Sequence, residues 1–377
     1  MLITTLPLLI LSIHCSPSKA KTDVSTIVLE ENPRFIDLNP IKKKSIFIEN
    51  IYFPRIYIEG DHVIVNGPSL KSRSRFLFQT YDKNLNLLGE KRFTLGQGPG
   101  ELGGAPYFFP VGDRIYVPDN TQRRINIFDR NFNFIKFFKT EFALNSPIFS
   151  KDGKYFVFVT WASGRYGPNS SFSVYLVTFP GLKKKLLHPF PEFDCILEEK
   201  RELILDIGAI HYFIKNDKIY LLDKDDYMIT VRDTRGQIKK QVKIDVNRIP
   251  TPKNREAEWL KEHMGINKYL RRIRLKLKFS DYLQPCAWMI PLEKGFVVIR
   301  RGGYSASCKG LVDADYFDFD LNMLGKVKFP CFTEIFRLRQ YIFLQYTDVA
   351  DGFLYLVNNI EREDDEVIAL EKWKISE

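Results

Sequence analysis

Short apolar runs alternate with tight polar turns over most of the chain. A turn that contains Gly or Asp, followed by an apolar or aromatic run, occurs six times and is typical of a β-strand entered from a turn. The equivalent positions in the six runs are Val63, Ile115, Tyr155, Ile219, Phe296 and Leu354. They are separated by 52, 40, 64, 77 and 58 residues. Four strands with their turns fit in about 40 to 45 residues, the size of a β-propeller blade, so the longer intervals indicate blades with insertions.

A second pattern repeats between these runs. It is a strand rich in aromatic or β-branched residues that ends in Asp, followed by a turn and another strand, and it occurs at Asp82, Asp129, Asp233 and Asp320. This pattern predicts that the third and fourth strands of a blade form a hairpin. The Asp side chains can accept backbone N–H groups of the turn, so we interpret them as structural rather than catalytic.

One segment resembles a known group of proteins. Phe93–Glu101 (FTLGQGPGE), followed by Asp113–Asn120 and Arg124–Asp129, is similar to the blade junction of the six-bladed, NHL-like β-propeller lipoproteins of bacteria. The resemblance covers residues 76–138 and, through the repeat alone, about 50–374. It implies a six-bladed propeller at the cell surface or in the periplasm. Most members of that group have no established activity.

The glycines of this segment have their own physical interpretation. Gly96, Gly98 and Gly100, together with Pro99, predict a structural turn between blades, where the backbone needs unusual angles and close approach. A phosphate-binding loop is the rival interpretation. It is disfavoured because no strand-to-helix context follows and Pro99 has no N–H to donate.

These patterns predict an all-β chain with a single six-bladed propeller over residues 32–377. The last repeated run follows the turn at Asp351. The sequence has room for one strand before that turn (341–346) and one strand after the run (366–373), so blade six has only three strands from the C-terminal part of the chain. Arg34–Leu38 has the right alternation, and we expect this N-terminal strand to complete the ring.

Residues 246–283 interrupt the β pattern after blade four. The polar segments Asn254–Met264 and Tyr269–Lys278 predict a short helical insertion. The insertion is strongly basic, and a solvated charged surface is its simplest explanation.

The N-terminus predicts export. Residues 1–14 have the apolar core of a signal peptide, too short to span a bilayer, and Cys15 follows it directly. Residues 15–31 form a polar tether. We expect Cys15 to be lipidated, which predicts a lipoprotein of the inner or outer membrane in the cell envelope that contacts the membrane through this lipid anchor only. A plain signal peptide cut nearby, and hence a periplasmic or secreted protein, is the alternative.

Composition adds a charge argument. The 377 residues are 45% hydrophobic, which excludes a largely disordered chain, and the net charge of +10 favours anionic partners. Three predicted second-to-third-strand loops, 66–75, 161–171 and 300–308, open to the same side as the blade crossings. Their Arg and aromatic residues suit a glycan, lipid head group or peptide with negative charge, or a protein partner. The predicted ligand-binding residues are Arg73, Arg165, Tyr166, Arg300, Arg301 and Tyr304. Scattered solvated charge is the alternative, and nucleic acid is disfavoured.

Enzyme motifs are not evident in the sequence. The His residues after the leader have neither an HExxH nor any metal-ligand spacing, so we predict no catalytic residue, no metal and no cofactor. The later cysteines are Cys195, Cys286, Cys308 and Cys331, and none of them forms a CxxC motif. The sequence does not decide between disulfides and buried free thiols. A propeller hydrolase or lyase with its site at the mouth of the central channel is the alternative function. A convergent cluster of buried Asp, Glu or His would favour it.

Overall fold

The computed structural model describes residues 24–28, 34–48, 51, 54–69, 75–103, 108–142, 144–161, 172–189, 196–197, 202–205, 210–251, 276–279, 281–282, 285–300, 311–330, 347–362 and 365–376. These residues form seven β-sheets and contain no helix. Consequently none of them belongs to a helix of the length and apolarity that crossing a membrane requires.

Six of the sheets are propeller blades. The chain begins with β1 (Val24–Val28) and β2 (Ile41–Phe47). Blade 1 comprises β3 (Arg55–Glu59), β4 (His62–Pro68), β5 (Arg75–Asp82) and β6 (Leu87–Thr94). Blade 2 comprises β7 (Phe109–Val111), β8 (Arg114–Asp119), β9 (Arg124–Asp129) and β10 (Phe134–Lys139). Blade 3 comprises β11 (Asn145–Phe149), β12 (Tyr155–Trp161), β13 (Phe172–Thr178) and β14 (Lys183–Pro189).

The second half of the ring follows two short strands, β15 (Ile196–Leu197) and β16 (Glu202–Leu205). Blade 4 comprises β17 (Ile210–Lys215), β18 (Lys218–Asp223), β19 (Met228–Asp233) and β20 (Ile238–Asp245). After β21 (Lys276–Phe279), blade 5 comprises β22 (Cys286–Pro291), β23 (Gly295–Arg300), β24 (Leu311–Asp318) and β25 (Met323–Pro330). Blade 6 comprises β26 (Thr347–Ala350), β27 (Phe353–Arg362), β28 (Asp365–Lys374) and β2.

The six-bladed, all-β architecture predicted from the repeat is confirmed. Each of the six repeated turn-and-strand runs is the second strand of a blade, where the side chains are almost all buried, as in β8, β18 and β23. The fourth strands lie at the circumference and are mostly exposed, as in β6 and β10. Aromatic side chains fill the space between blades; Phe78, Phe93 and Phe132 pack around Phe108 between blades 1 and 2.

The closure of the ring uses an N-terminal strand, but not the predicted one. The strand that completes blade 6 is β2, which pairs antiparallel with β28 from Ile41↔Lys374 to Phe47↔Ala369. The predicted segment Arg34–Leu38 lies elsewhere. Ile36 N–H donates to the carbonyl of Lys326 (2.8 Å), and Lys326 N–H donates to that of Arg34 (2.9 Å), at the outer edge of blade 5. The inner strand of blade 6 is β26; the predicted inner strand, 341–346, falls outside the described residues.

The N-terminal chain therefore follows the circumference of three blades. β1 pairs parallel with β20 on blade 4, Arg34–Ile36 pairs with β25 on blade 5, and β2 completes blade 6. We call residues 24–47 the N-terminal strap.

The insertion after blade 4 differs from the predicted helices where it is described. Residues 276–278, expected at the end of a helix, belong to β21, which pairs parallel with β16 from Glu202↔Lys276 to Leu205↔Phe279. A non-local partner thus overrides a sequence rich in helix-forming residues. The remainder of both predicted helices, including Asn254–Met264, lies outside the described residues.

The two sides of the ring differ in their connections. One side, the turn face, carries the turns between first and second and between third and fourth strands. The other side, the loop face, carries the second-to-third-strand connections and the crossings between blades. The third-to-fourth-strand hairpins are confirmed, and their Asp side chains cap the turns: Asp129 accepts the N–H groups of Asn131 (2.9 Å) and Asn133 (2.8 Å). In blade 5 the capping residue is Asp318 rather than Asp320, which lies inside the turn.

Candidate functional site: the loop face and central channel

Of the predicted ligand-binding residues, Arg300 is the one that the structure describes. Arg73, Arg165, Tyr166, Arg301, Tyr304 and the predicted lipidation site Cys15 lie outside the described residues. Arg300 is described, as are Gly96, Gly98, Pro99 and Gly100.

Arg300 ends β23 and forms a buried ion pair with Asp315 on the neighbouring strand β24. Its Nε donates to Asp315 Oδ2 (2.8 Å) and its Nη2 to Oδ1 (2.7 Å), while Tyr227 Oη donates to Oδ2 (2.6 Å). Burial opposes the charge of Arg300, but the hydrogen bonds and charge of Asp315 raise the guanidinium pKa. Two of its nitrogens are therefore committed to Asp315, and a ligand role for Arg300 stays a prediction.

The glycine-rich crossing between blades 1 and 2 is held by charged side chains. Glu101 Oε2 accepts the Gly98 N–H (2.7 Å), and a Cβ on Gly96 would lie only 2.1 Å from that same oxygen. Arg124 Nη2 donates to the carbonyls of Gly98 (3.0 Å) and Glu101 (2.7 Å). These contacts give a physical reason for the glycines and the downstream Arg to occur together in the sequence.

A central channel runs along the inner strands and forms a cavity of about 570 Å³. All six inner strands contribute to its wall, with apolar and aromatic side chains such as Phe109, Phe149 and Trp288 beside charged ones such as Arg55 and Lys215. The sequence patterns did not single out these residues. The inner strands are short, and only their position before each repeated turn indicates that they line the axis.

Asp348 is the most perturbed carboxyl group of the channel wall. It lies on β26, and its Oδ2 accepts the N–H of Ile58 on β3 (2.7 Å), which links the inner strands of blades 6 and 1. Burial of the carboxyl group raises the pKa of Asp348 to about 6. Backbone hydrogen bonds and the positive charges of Lys215 and Lys151 act in the opposite direction.

Tyr57 and His211 line the same channel. The Tyr57 hydroxyl is buried and has no hydrogen-bond partner among the described residues. Burial, and secondarily the charge of Lys224, lowers the pKa of His211 to about 3, so the imidazole is neutral at pH 7. Its ring contacts Trp288 edge-on (5.3 Å between centroids).

The described part of the chain contains no cluster of His, Cys, Asp and Glu that could hold a metal ion. Cys286 is a free, buried thiol, and burial raises its pKa.

The length and charge of the second-to-third-strand connections on the loop face differ between blades. The second-to-third-strand loops of blades 1, 3 and 5 (69–74, 162–171 and 301–310) have six, ten and ten residues, with five Lys or Arg and no Asp or Glu. The equivalent connections of blades 2, 4 and 6 have four, four and two residues. Those of blades 4 and 6 carry Asp225, Asp226, Glu363 and Asp364.

Comparison with solved structures gives the fold. A member of the DUF4221 family from Bacteroides vulgatus is similar over 89% of this chain and 98% of its own, with a TM-score of 0.52 and 12% sequence identity. A Bacteroides fragilis protein provisionally described as exported is similar over 94% of this chain and 100% of its own, with a TM-score of 0.49 and 12% identity. No protein-family model and no curated protein matches the sequence. At this identity, the DUF4221 member supports the propeller fold alone.

Proposed function

We propose that the protein is an exported, lipid-anchored propeller that binds an anionic ligand or a partner protein through its loop face. The observation that carries the proposal is the set of three long loops on alternate blades, which contain Lys and Arg but no acidic residue. Long loops on a rigid scaffold are where binding sites usually lie. Because each loop belongs to a different blade, a ligand that spans two of them meets positive charge from both.

The charge pattern limits the ligand that fits. The acidic residues in the connections of blades 4 and 6 flank the basic loop of blade 5, so an extended uniform polyanion would meet repulsion along with attraction. A compact ligand with separated carboxylate, sulfate or phosphate groups suits this pattern, because Arg can bind each group with two hydrogen bonds.

The binding experiment compares two double charge reversals. Arg165→Glu with Arg301→Glu changes two basic loops, whereas Arg114→Glu with Arg235→Glu makes the same charge change on the turn face. At low salt, the parent and the control should bind to an array of acidic glycans, anionic lipids and peptides. The loop variant should not bind. Binding should weaken with salt, because the Debye length falls from about 10 Å at 0.1 M to about 3 Å at 1 M. Equal binding by the two variants contradicts the proposal.

The membrane anchor is tested separately. Metabolic labelling with a palmitate analogue should label the parent chain and not Cys15→Ala. If neither is labelled, the protein is a periplasmic or secreted propeller rather than a lipoprotein.

A hydrolase or lyase is the second candidate, and the channel favours it. Asp348, with a pKa near 6, and the buried hydroxyl of Tyr57 line one cavity, and a carboxyl group with this pKa can exchange protons near neutral pH. The channel supplies one such Asp and one neutral His, so the binding proposal comes first. A screen of glycoside and lactone substrates decides this: turnover that Asp348→Asn abolishes while Arg165→Glu leaves intact would establish the enzyme.

A further inference from the structure

The positive charge of the protein is concentrated at the circumference. The six fourth strands carry fifteen Lys or Arg residues and only two acidic ones, Glu90 and Asp245, an excess larger than the net charge of the whole chain. The basic residues are Lys42, Lys43, Lys44, Lys91, Arg92, Lys136, Lys139, Lys183, Lys184, Lys185, Lys239, Lys240, Lys243, Lys326 and Lys328. The loop face is therefore not the main basic surface.

The circumference has two different halves. The N-terminal strap runs along blades 4, 5 and 6, whereas no described residue pairs with the outer edges of blades 1, 2 and 3. Several lysines also have structural partners: Lys91 donates to the carbonyl of Asn131 (3.0 Å) on the next blade, and Lys240 to that of Asp320 (2.6 Å). These contacts explain part of the lysine content without a ligand.

The outer strands of blades 2 and 3 combine charge with exposed apolar side chains. We call this surface the blade 2–3 edge; it comprises Ile135, Lys136, Phe137, Lys139, Lys183, Lys184, Lys185 and Leu186. Ile135, Phe137 and Leu186 are 45%, 39% and 45% exposed. Among the described residues, none of its five lysines forms an ion pair with a carboxylate, and its two strands contain no Asp or Glu. Two of the five have other contacts: Lys185 donates to the carbonyl of Arg235, and Lys184 lies over the Tyr175 ring (4.4 Å from its centroid).

Protection of the strand edges against aggregation explains the lysines of this surface but not its exposed apolar residues. Lysines on exposed strands prevent edge-to-edge aggregation, but exposed Phe, Ile and Leu on the same strands work against that purpose. Basic side chains beside exposed apolar ones are the chemistry of attachment to an anionic bilayer: each Lys near the surface contributes about 1 kcal/mol, and apolar side chains enter the interfacial region.

The first described strand of the strap lies on the blade next to this surface. Val24 pairs with Gln241 on the outer strand of blade 4, which neighbours blade 3. Eight residues separate Cys15 from Val24, a reach of about 30 Å when extended. If Cys15 is the anchor, as proposed above, it holds the circumference near the membrane.

We propose that the blade 2–3 edge docks on an anionic lipid bilayer, so that the propeller sits on its circumference with the loop face turned sideways to the membrane. This surface is separate from the loop face, and the two proposals can fail independently.

The experiment measures vesicle binding by the chain from residue 22, which contains every described strand and lacks both the apolar leader and Cys15. Vesicles of phosphatidylglycerol and phosphatidylethanolamine are compared with vesicles of phosphatidylcholine in about 0.1 M salt. We expect binding to the anionic vesicles only. Lys139→Glu with Lys183→Glu should weaken it at least about tenfold, from the contribution of each charge. Phe137→Ser with Leu186→Ser should weaken it and leave the salt dependence in place.

The matched control is Lys43→Glu with Lys374→Glu, the same charge change at exposed positions of blade 6. It should bind within about twofold of the parent, since the long-range charge is equal and only the position differs. Thermal melts check that each variant is folded. The proposal is overturned if the parent does not bind the anionic vesicles, or if the control variant loses as much binding as the edge variant. It is also overturned if soluble polyphosphate or DNA competes as well as anionic vesicles do, since that outcome identifies a general polyanion surface.

Discussion

The turn face and the loop face are built by opposite rules. On the turn face, four third-to-fourth-strand hairpins repeat one solution: an Asp caps the turn, and Leu85, Phe132, Gly236 and Leu321 take the same backbone position with φ between 60° and 73°. On the loop face the connections differ in length and charge from blade to blade. The repeated hairpin shows one local solution that four blades share, whereas the loop-face connections, which follow no shared pattern, are where we propose that the binding chemistry lies.

The largest expected effect is a loss of stability at the Arg300–Asp315 ion pair, which lies beneath the loop face. It tests whether a structural contact underlies the variable connections of that face. Asp315→Ala leaves Arg300 and the Tyr227 hydroxyl without their buried carboxylate, and we expect a loss of about 3 kcal/mol in the free energy of unfolding. Asp313→Ala, two residues earlier on the same strand, breaks only an exposed pair with Lys328 and should cost less than about 1 kcal/mol. Urea unfolding measures both, and equal losses would contradict the comparison.

The second prediction concerns the channel that the inner strands line. The folded protein raises the pKa of Asp348 from 3.8 to about 6, so the protonated carboxyl is favoured by folding. Its contribution is complete below about pH 3.8 and is lost as the pH rises through about 6. The upper limit is about 3 kcal/mol, reduced by water in the channel. Urea unfolding between pH 4 and 7.5 should show this decline in the parent and not in Asp348→Asn; an unchanged decline in the variant would assign it to another group.

The smallest effect comes from the turn face and has the opposite sign. Hydrogen bonds from the Asn133 backbone and side chain lower the pKa of Asp129. The stability that this ionised carboxylate contributes is therefore present above the ordinary Asp pKa and is lost as the pH falls through the lowered value. Asp129→Ala should lower the melting temperature by a few degrees at pH 7 and leave it unchanged in strong acid. Asp113→Ala, at an exposed turn of the same blade, is the control. An equal fall in its melting temperature would show that capping by Asp129 has no specific effect.

The repeated turn face is the part of the fold that could be predicted from the sequence. The second strands and the hairpins were identified because their patterns are local. The ring-closing strand was assigned to the wrong segment because Arg34–Leu38 and Ile41–Phe47 both have the composition of an exposed outer strand, and only the distant partners Lys326 and Lys374 distinguish them. β21 was missed for the same reason, since its partner β16 lies about 70 residues earlier in the chain.

The candidate sites divide in the same way. Basic residues in long loops could be recognised one by one, but the commitment of Arg300 to Asp315 depends on the register between β23 and β24. Asp348 gave no signal because its perturbed pKa arises from strands of two blades brought together at the axis. The blade 2–3 edge emerges only when all fourth strands are known to share the circumference.

The N-terminal strap also sets an order of events during synthesis. Residues 24–47 are made first, yet their partners are residues 241–245, Lys326 and residues 369–374, which are made in that sequence and up to some 300 residues later. The ring cannot close until the end of the chain is available, so β2 must remain unpaired while the first five blades form. If the chain is exported, as we propose, this delay is compatible with threading an unfolded chain across a membrane, because β2 pairs only after the whole chain has been made.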